Sequence, residues 1–300
     1  LGAAVSLPII VPAVITGFIW SLPGDPASLI CPPNVCGGTE ALAERWNLDG
    51  GPVQFFLGWL GDAARLEFGN SWRLHQGFPV LELLETAIPT TLTLIALATA
   101  IVMLGGFGAT RGWLPRRLDP FLRVIGLVPA LVLALAGAAL IELTFGFGSF
   151  SDTGRLARLA IGAAVLGLSD GAFTGAVLGT RTTFETESKQ RYVGIAILRG
   201  EREMANTWPN VAPALIGQLR ARIIHLLSGA VVVEVILRID GLGGLLWGGT
   251  LRQDFGVVLA AATLFAVVSA VLLILQAVAE TLVALHVRKA PQGVRLEEGA

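Results

Sequence analysis

The side chains able to do chemistry are few, and most stand alone in apolar surroundings. Asp170 lies between Ser169 and Gly171, and Glu234 follows Val231–Val233, each within an otherwise apolar stretch. A carboxylate at the centre of a helix in lipid costs about 2.5–3.5 kcal/mol, so it faces protein or a water-filled path. Asp170 reads equally well as lining such a path or as packing one helix on another. Glu234 stands near the end of its stretch. It either borders a path or its outer gate, or is a helix-end carboxylate hydrogen-bonded to a neighbour at the headgroups. His225 has the chemistry of a proton relay, against the plainer reading of a hydrogen-bonded packing histidine. Water is expected to reach Glu142 and Glu280 near the ends of their stretches. Arg220 and Arg222 are expected to snorkel to the membrane surface.

Two thiols, Cys31 and Cys36, flank Pro-Pro-Asn-Val. In an oxidising compartment they can pair, and closing so short a loop is worth about 2 kcal/mol in the chain-entropy account; two free thiols are the other reading. With no histidine near them in sequence, a metal site is not expected. There is no Gly-x-x-x-x-Gly-Lys-Ser/Thr, no Gly-x-Ser-x-Gly and no His-Glu-x-x-His. No cofactor is expected, and ATP hydrolysis is not expected on this chain. The scattered ionisable residues do not converge as an intramembrane enzyme would require.

The elements that must position these groups are long and apolar. Of 300 residues, 54% are hydrophobic and only 14% charged, where a soluble domain carries about 25%. A net charge of −1 gives no footprint for nucleic acid. Crossing the hydrocarbon takes about 20 apolar residues. Runs of that order recur at Leu1–Leu22, Ala87–Thr110 (opened by Pro89), Val124–Phe145, Leu159–Thr180, Pro213–Leu237 and Phe255–His286. The expectation is an all-α polytopic bundle of about six transmembrane helices, with Leu1–Leu22 as a span rather than a cleaved signal. Residues 23–86 form an external region with short interfacial helices at Ala41–Trp46 and Val53–Leu66. Residues 87–288 form the membrane core, and 289–300 an inner tail. With this threading the inner segments carry fourteen Lys and Arg against seven outside, which places both termini in the cytoplasm.

The inner loop 181–212 is the most informative connection. Tyr192, Val193, Ala196 and Ile197 share one face of a short helix, and Gly200 suits a left-handed cap after it. A small apolar knob rimmed by Arg and Glu fits a groove on a cytoplasmic partner, or else lies flat at the bilayer surface. On the outer side, Asp240-Gly-Leu-Gly-Gly-Leu-Leu-Trp247 reads as a loop whose glycines permit tight turns and close approach.

An ordered set of matches runs from about Leu22 to His286. It includes Leu22-Pro-Gly-Asp-Pro-Ala27, Pro52-Val-Gln54, Trp59-Leu-Gly61, Phe68-Gly-Asn-Ser71, Pro79–Leu84, Pro89-Thr-Thr-Leu92, the spacing from Thr180-Arg181 to Tyr192-Val193, Gly229–Glu234, Gly241-Leu-Gly243 and Asp254-Phe255. In these the chain resembles permease subunits of the dipeptide/oligopeptide/nickel family of bacterial ABC importers. The resemblance implies a location in the bacterial inner membrane, amid lipid. It also implies pairing with a second, homologous permease, two cytoplasmic ATPases and an external solute-binding protein, with peptides the commonest cargo. It makes loop 181–212 the element that couples to the ATPase, through Tyr192, Val193, Ala196, Arg199 and Gly200. It makes Gly241, Leu242, Gly243 and Trp247, with Leu245, part of an external gate. The chain departs from the family in a shorter stretch between Gly200 and Pro213, with Pro209 as an extra breaker. The competing reading is an ion-coupled secondary transporter relaying through Asp170, Glu234 or His225. No internal repeat supports it.

Overall fold

The computed structural model describes residues 2–30, 40–45, 48–146 and 152–289. Cys31 and Cys36, and the tail from 290, lie outside the described residues. In chain order come α1 (Gly2–Ser21), α2 (Pro26–Ile30), α3 (Glu40–Arg45), α4 (Gly51–Ala63), β1 (Asn70–Ser71), β2 (Phe78–Pro79) and α5 (Val80–Thr110). Then follow α6 (Asp119–Gly126), α7 (Ala130–Phe145), α8 (Asp152–Leu168), α9 (Ala172–Ser188), α10 (Arg191–Leu198), α11 (Glu203–Leu237), α12 (Leu242–Leu251) and α13 (Phe255–Lys289). The two strands form a minimal antiparallel ladder, Asn70 opposite Pro79 and Ser71 opposite Phe78.

Each of the six expected spans coincides with helix, though not with the expected bounds. Among the described residues, Val80–Thr110, Thr153–Ser188 and Phe255–Val283 are long and apolar enough by themselves to cross a membrane. Shorter apolar helices lie at Ser6–Ser21, Ala130–Phe145 and His225–Leu237. The third span was expected from Val124, but α7 starts at Ala130. The residue before a proline is pushed out of the helical region, so Val128-Pro129 breaks the run and leaves α6 a separate amphipathic helix. The fifth was expected to open at Pro213, but α11 starts at Glu203 and passes through Pro209 and Pro213. Membrane helices tolerate such prolines where neighbouring groups satisfy the freed carbonyls. The loop expected at 181–212 is therefore mostly helical, and the glycine-rich stretch expected as a loop is the helix α12.

The chain divides into two compact units. One comprises residues 1–98, 130–166 and 227–271, the other 99–129, 167–226 and 272 onward. In the first, the external region has no separate core. Ala27, Ile30, Phe55, Trp59, Phe68, Val80 and Leu84 pack with Leu242, Val257 and Leu259–Ala261. Small residues let the helices close up. A methyl group on Gly162 would lie 2.9–3.2 Å from Ile239, Leu94 and Val233, so three segments meet at that glycine. In the second unit, Arg181 bridges Asp119 and the Leu114 carbonyl, and Arg116 pairs with Glu185. These links tie α9 to the start of α6 and to the segment before it. The outward sides of α7 are largely apolar: Leu131, Val132, Leu135, Leu140 and Leu143 are all exposed, and the exposed Thr144 returns its hydroxyl to the Leu140 carbonyl, a surface suited to lipid.

Asp254, ahead of α13, holds residues 71–74 in place. Its Oδ2 accepts from Ser71 Oγ (2.6 Å) and from the backbone N–H of Trp72, Arg73 and Leu74 (2.9–3.0 Å), and the residue is fully buried. Replacing Asp254 with Ala orphans these donors at roughly 1–3 kcal/mol apiece. The variant is expected to unfold at markedly lower temperature in detergent and to be cut by protease near residue 72, with Asp254→Asn intermediate.

Candidate functional site

Glu234 sits one turn before the end of α11, fully buried, where the chain turns through Arg238–Gly241 into α12. Its Oε1 accepts from Thr91 Oγ1 (2.7 Å), and its Oε2 accepts from the N–H groups of Gly243 (2.7 Å) and Gly244 (3.2 Å). Thr91 Oγ1 in turn accepts from Leu242 N–H (2.8 Å). The first N–H groups of a helix have no partner within it. Here the Glu234 carboxylate and the Thr91 hydroxyl cap α12 from outside. A methyl on Gly243 would lie 2.6 Å from the Val231 Cα, and one on Gly241 would lie 2.4–2.5 Å from the Glu234 carboxyl. These glycines thus serve close approach and not a tight turn. Leu242 is in the core, whereas Trp247 is half exposed on the wall of a cavity of about 420 Å³ that also touches His75, Glu234, Arg238 and Asp240. Nothing in the sequence beyond its place in a family match singles out Thr91, because Thr90 and Thr93 stand beside it at the same expected helix start.

Asp170 marks a second polar point. It has φ 50°, and Gly171 has φ 76°, so the span Thr153–Ser188 is broken there. The Asp170 N–H donates to the Val128 carbonyl (3.1 Å), in the break between α6 and α7. Thr174 Oγ1 donates to the Leu122 carbonyl (2.6 Å). Two interrupted segments thereby satisfy one another's backbone, as lipid requires. The imidazole Nε2 of His225 lies 3.5 Å from Asp170 Oδ2, and both side chains stay partly open. Arg222, expected at the membrane surface, is half-buried and donates to the Ala172 carbonyl (2.5 Å) at the start of α9. Gly175 leaves room for the guanidinium there. Glu142 and Glu280 are not simply wetted either. Glu142 Oε2 is buried, and Glu280 accepts from Gln276 Nε2 (2.7 Å).

The third group is α10. Val193 and Ala196 point inward, while Tyr192, Ile195, Ile197 and Leu198 are exposed, Leu198 to 88%. The apolar face expected from spacing is thus split between an anchor and an outward surface. Gly200 has φ 83°. The N–H of Gly200 bonds Ile197 O, and that of Glu201 bonds Ala196 O, the bond pair of a Schellman cap. Arg199 is the residue between helix and glycine. The Tyr192 hydroxyl donates to Glu187 and accepts from Asn210 Nδ2 (2.6 Å), joining α9, α10 and α11. Burial, with the Glu187 hydrogen bond, pushes the Tyr192 phenol up to about 12, so it remains a donor throughout the physiological range.

Residues 101–284, more than half of the chain, match the family model described as the binding-protein-dependent transport system inner membrane component. The chain belongs to that family. It is a multi-pass membrane permease, and the matched stretch holds the Asp170 break, α10, the Glu234 corner and α12. It is similar to the oligopeptide transport system permease protein AppB of Bacillus subtilis, with 27% identity over 295 residues and 90% of each chain covered. It is also similar to the inner membrane ABC transporter permease protein YejB of Escherichia coli O157:H7, with 24% identity over 274 residues, covering 81% of this chain and 75% of the relative.

In this permease the Glu234 corner is the most completely bonded of the three groups. Removing its carboxylate with Glu234→Ala strands three donors, at roughly 1–3 kcal/mol each. Thermal unfolding of the purified permease in detergent should show a larger loss for Glu234→Ala than for Glu234→Gln or Thr91→Val. Gly243→Ala should match it, since backbone cannot yield as a flexible side chain does.

Proposed function

We propose that the chain is one of two permeases in an ATP-driven importer of peptides. Its partners are a second, homologous permease, two ATPases on the inner face and a solute-binding protein outside. The cargo is inferred from the relative named for oligopeptide transport. ATP is hydrolysed on the partner subunits, and neither relative is named as an ion-coupled transporter.

The observation that carries the coupling is α10. It is an anchored short helix, fixed by Val193 and Ala196 and closed by Gly200, that offers Ile195, Ile197 and Leu198 to a partner. Exposed apolar side chains at a polar, charged surface mark an interaction site. Residues 181–212 are therefore the lever on which the ATPases act, and their closure moves the attached spans as rigid bodies. The region 23–86 meets the binding protein. Gly241, Leu242, Gly243 and Trp247 close the outer mouth, and the excess of Lys and Arg on inner segments puts both termini, with 289–300, in the cytoplasm. Asp170 borders the path at mid-depth, with His225 as its partner.

Leu198→Glu or Ile195→Glu changes only an exposed position, so insertion and folding should persist while capture of the ATPase subunits in a pull-down falls at least tenfold, the scale of a buried charge at an interface. Unchanged capture would refute the coupling role. With Cys31 and Cys36 replaced by Ser, single cysteines at Lys189 and Thr250 should react with an impermeant thiol reagent from opposite sides of the membrane; reaction from one side would overturn the threading.

A further inference from the structure

Within the first unit, a cavity of about 220 Å³ is lined by Thr90, Arg155, Arg158, Leu159, Arg238, Ile239 and Asp240. Three guanidinium groups meet there against one carboxylate. Arg158 is only 4% exposed, while Arg155 and Arg238 are open to solvent. A smaller cavity of about 180 Å³ shares Arg158 and Arg238 and adds Glu142.

Helix dipoles alone do not place all three cations. Arg238 follows the end of α11, where a cation suits the helix dipole. Arg155 and Arg158 do the opposite. They stand in the first two turns of α8, at the positive end of the dipole, three residues apart and so on one face. The sequence thus places two cations where the helix disfavours them, buries one, and brings a third from another helix. The N-terminal end of α8 adds its own positive field. Paired guanidinium groups bind carboxylates by two parallel hydrogen bonds. On the threading given above, the cavity lies at the outer mouth, and Arg238 and Asp240 also wall the larger cavity beside Glu234 and Trp247.

Resting on the peptide-importer reading, we propose that this cavity receives the free C-terminal carboxylate of the incoming peptide, held by Arg155, Arg158 and Arg238. A lipid phosphate has the same anionic chemistry, and the test separates the two sources. The complete importer, with its ATPases and binding protein, is reconstituted in vesicles of phosphatidylcholine. ATP-dependent uptake is measured for one tripeptide as the free acid and as its C-terminal amide. The binding protein is the same in every arm, so a change in selectivity arises in the permease. In Arg155→Gln and Arg238→Gln the ratio of acid to amide uptake should fall about tenfold, the scale of a lost charge-assisted hydrogen bond, with Arg155→Lys between these and the unaltered protein. Capture of the ATPases reports folding of each variant. A ratio unchanged in both glutamine variants, including the case where both uptakes fall together, overturns the proposal. So does uptake that rises with added anionic lipid and loses that dependence in the variants, which would assign the cavity to a headgroup. If the unaltered importer takes up neither peptide, the peptide reading itself fails, and the proposal falls with it.

Discussion

A backbone inside lipid must bond to protein wherever it leaves the helix, because no water is there to take its N–H and C=O groups. This constraint organises the permease. At the Asp170 break, the chain bonds across to the break at Val128, so two defects that would each be costly alone become one joint. At the turn into α12, the Glu234 carboxylate and Thr91 hydroxyl take the helix's first N–H groups. At the start of α13, Asp254 gathers three successive N–H groups from residues 72–74. Buried carboxylates in this chain serve first as acceptors for interrupted backbone.

The same constraint bears on transport. An element that must move between two arrangements cannot expose unsatisfied backbone on the way, so it moves as a bonded block. The α9–α10–α11 connection is joined through Glu187, Tyr192 and Asn210 and closed by the Gly200 cap. Its apolar side chains split between anchoring and display, which holds a short helix in place without a large core of its own. The His225–Asp170 pair and the Arg222 contact sit at the helix break and remain partly open, where a polar path can pass without stranding charge in lipid.

Much of this was legible in the residues. Runs of about 20 apolar residues announce spans because only helices satisfy their backbone alone in lipid. Gly200 announces a left-handed cap, because a side chain there is strained. The Val128-Pro129 pair carried the signal for the break that splits α6 from α7, but an apolar run hides it when hydropathy alone is followed. Pro213, by contrast, looked like a helix start and is interior, because a proline's effect depends on whether neighbours take up the freed carbonyl.

Composition and order of residues determined that the chain is helical and that it crosses a membrane several times, since these depend on local apolarity. Tertiary structure alone decided that Glu234 caps a helix beginning eight residues later, that Thr91 completes that cap, that Asp254 secures residues 72–74, and that Arg155, Arg158 and Arg238 share one cavity. These are meetings of groups as many as 182 positions apart. Such meetings are settled by how small residues let helices close upon one another, a property of packed surfaces that no single stretch of sequence contains.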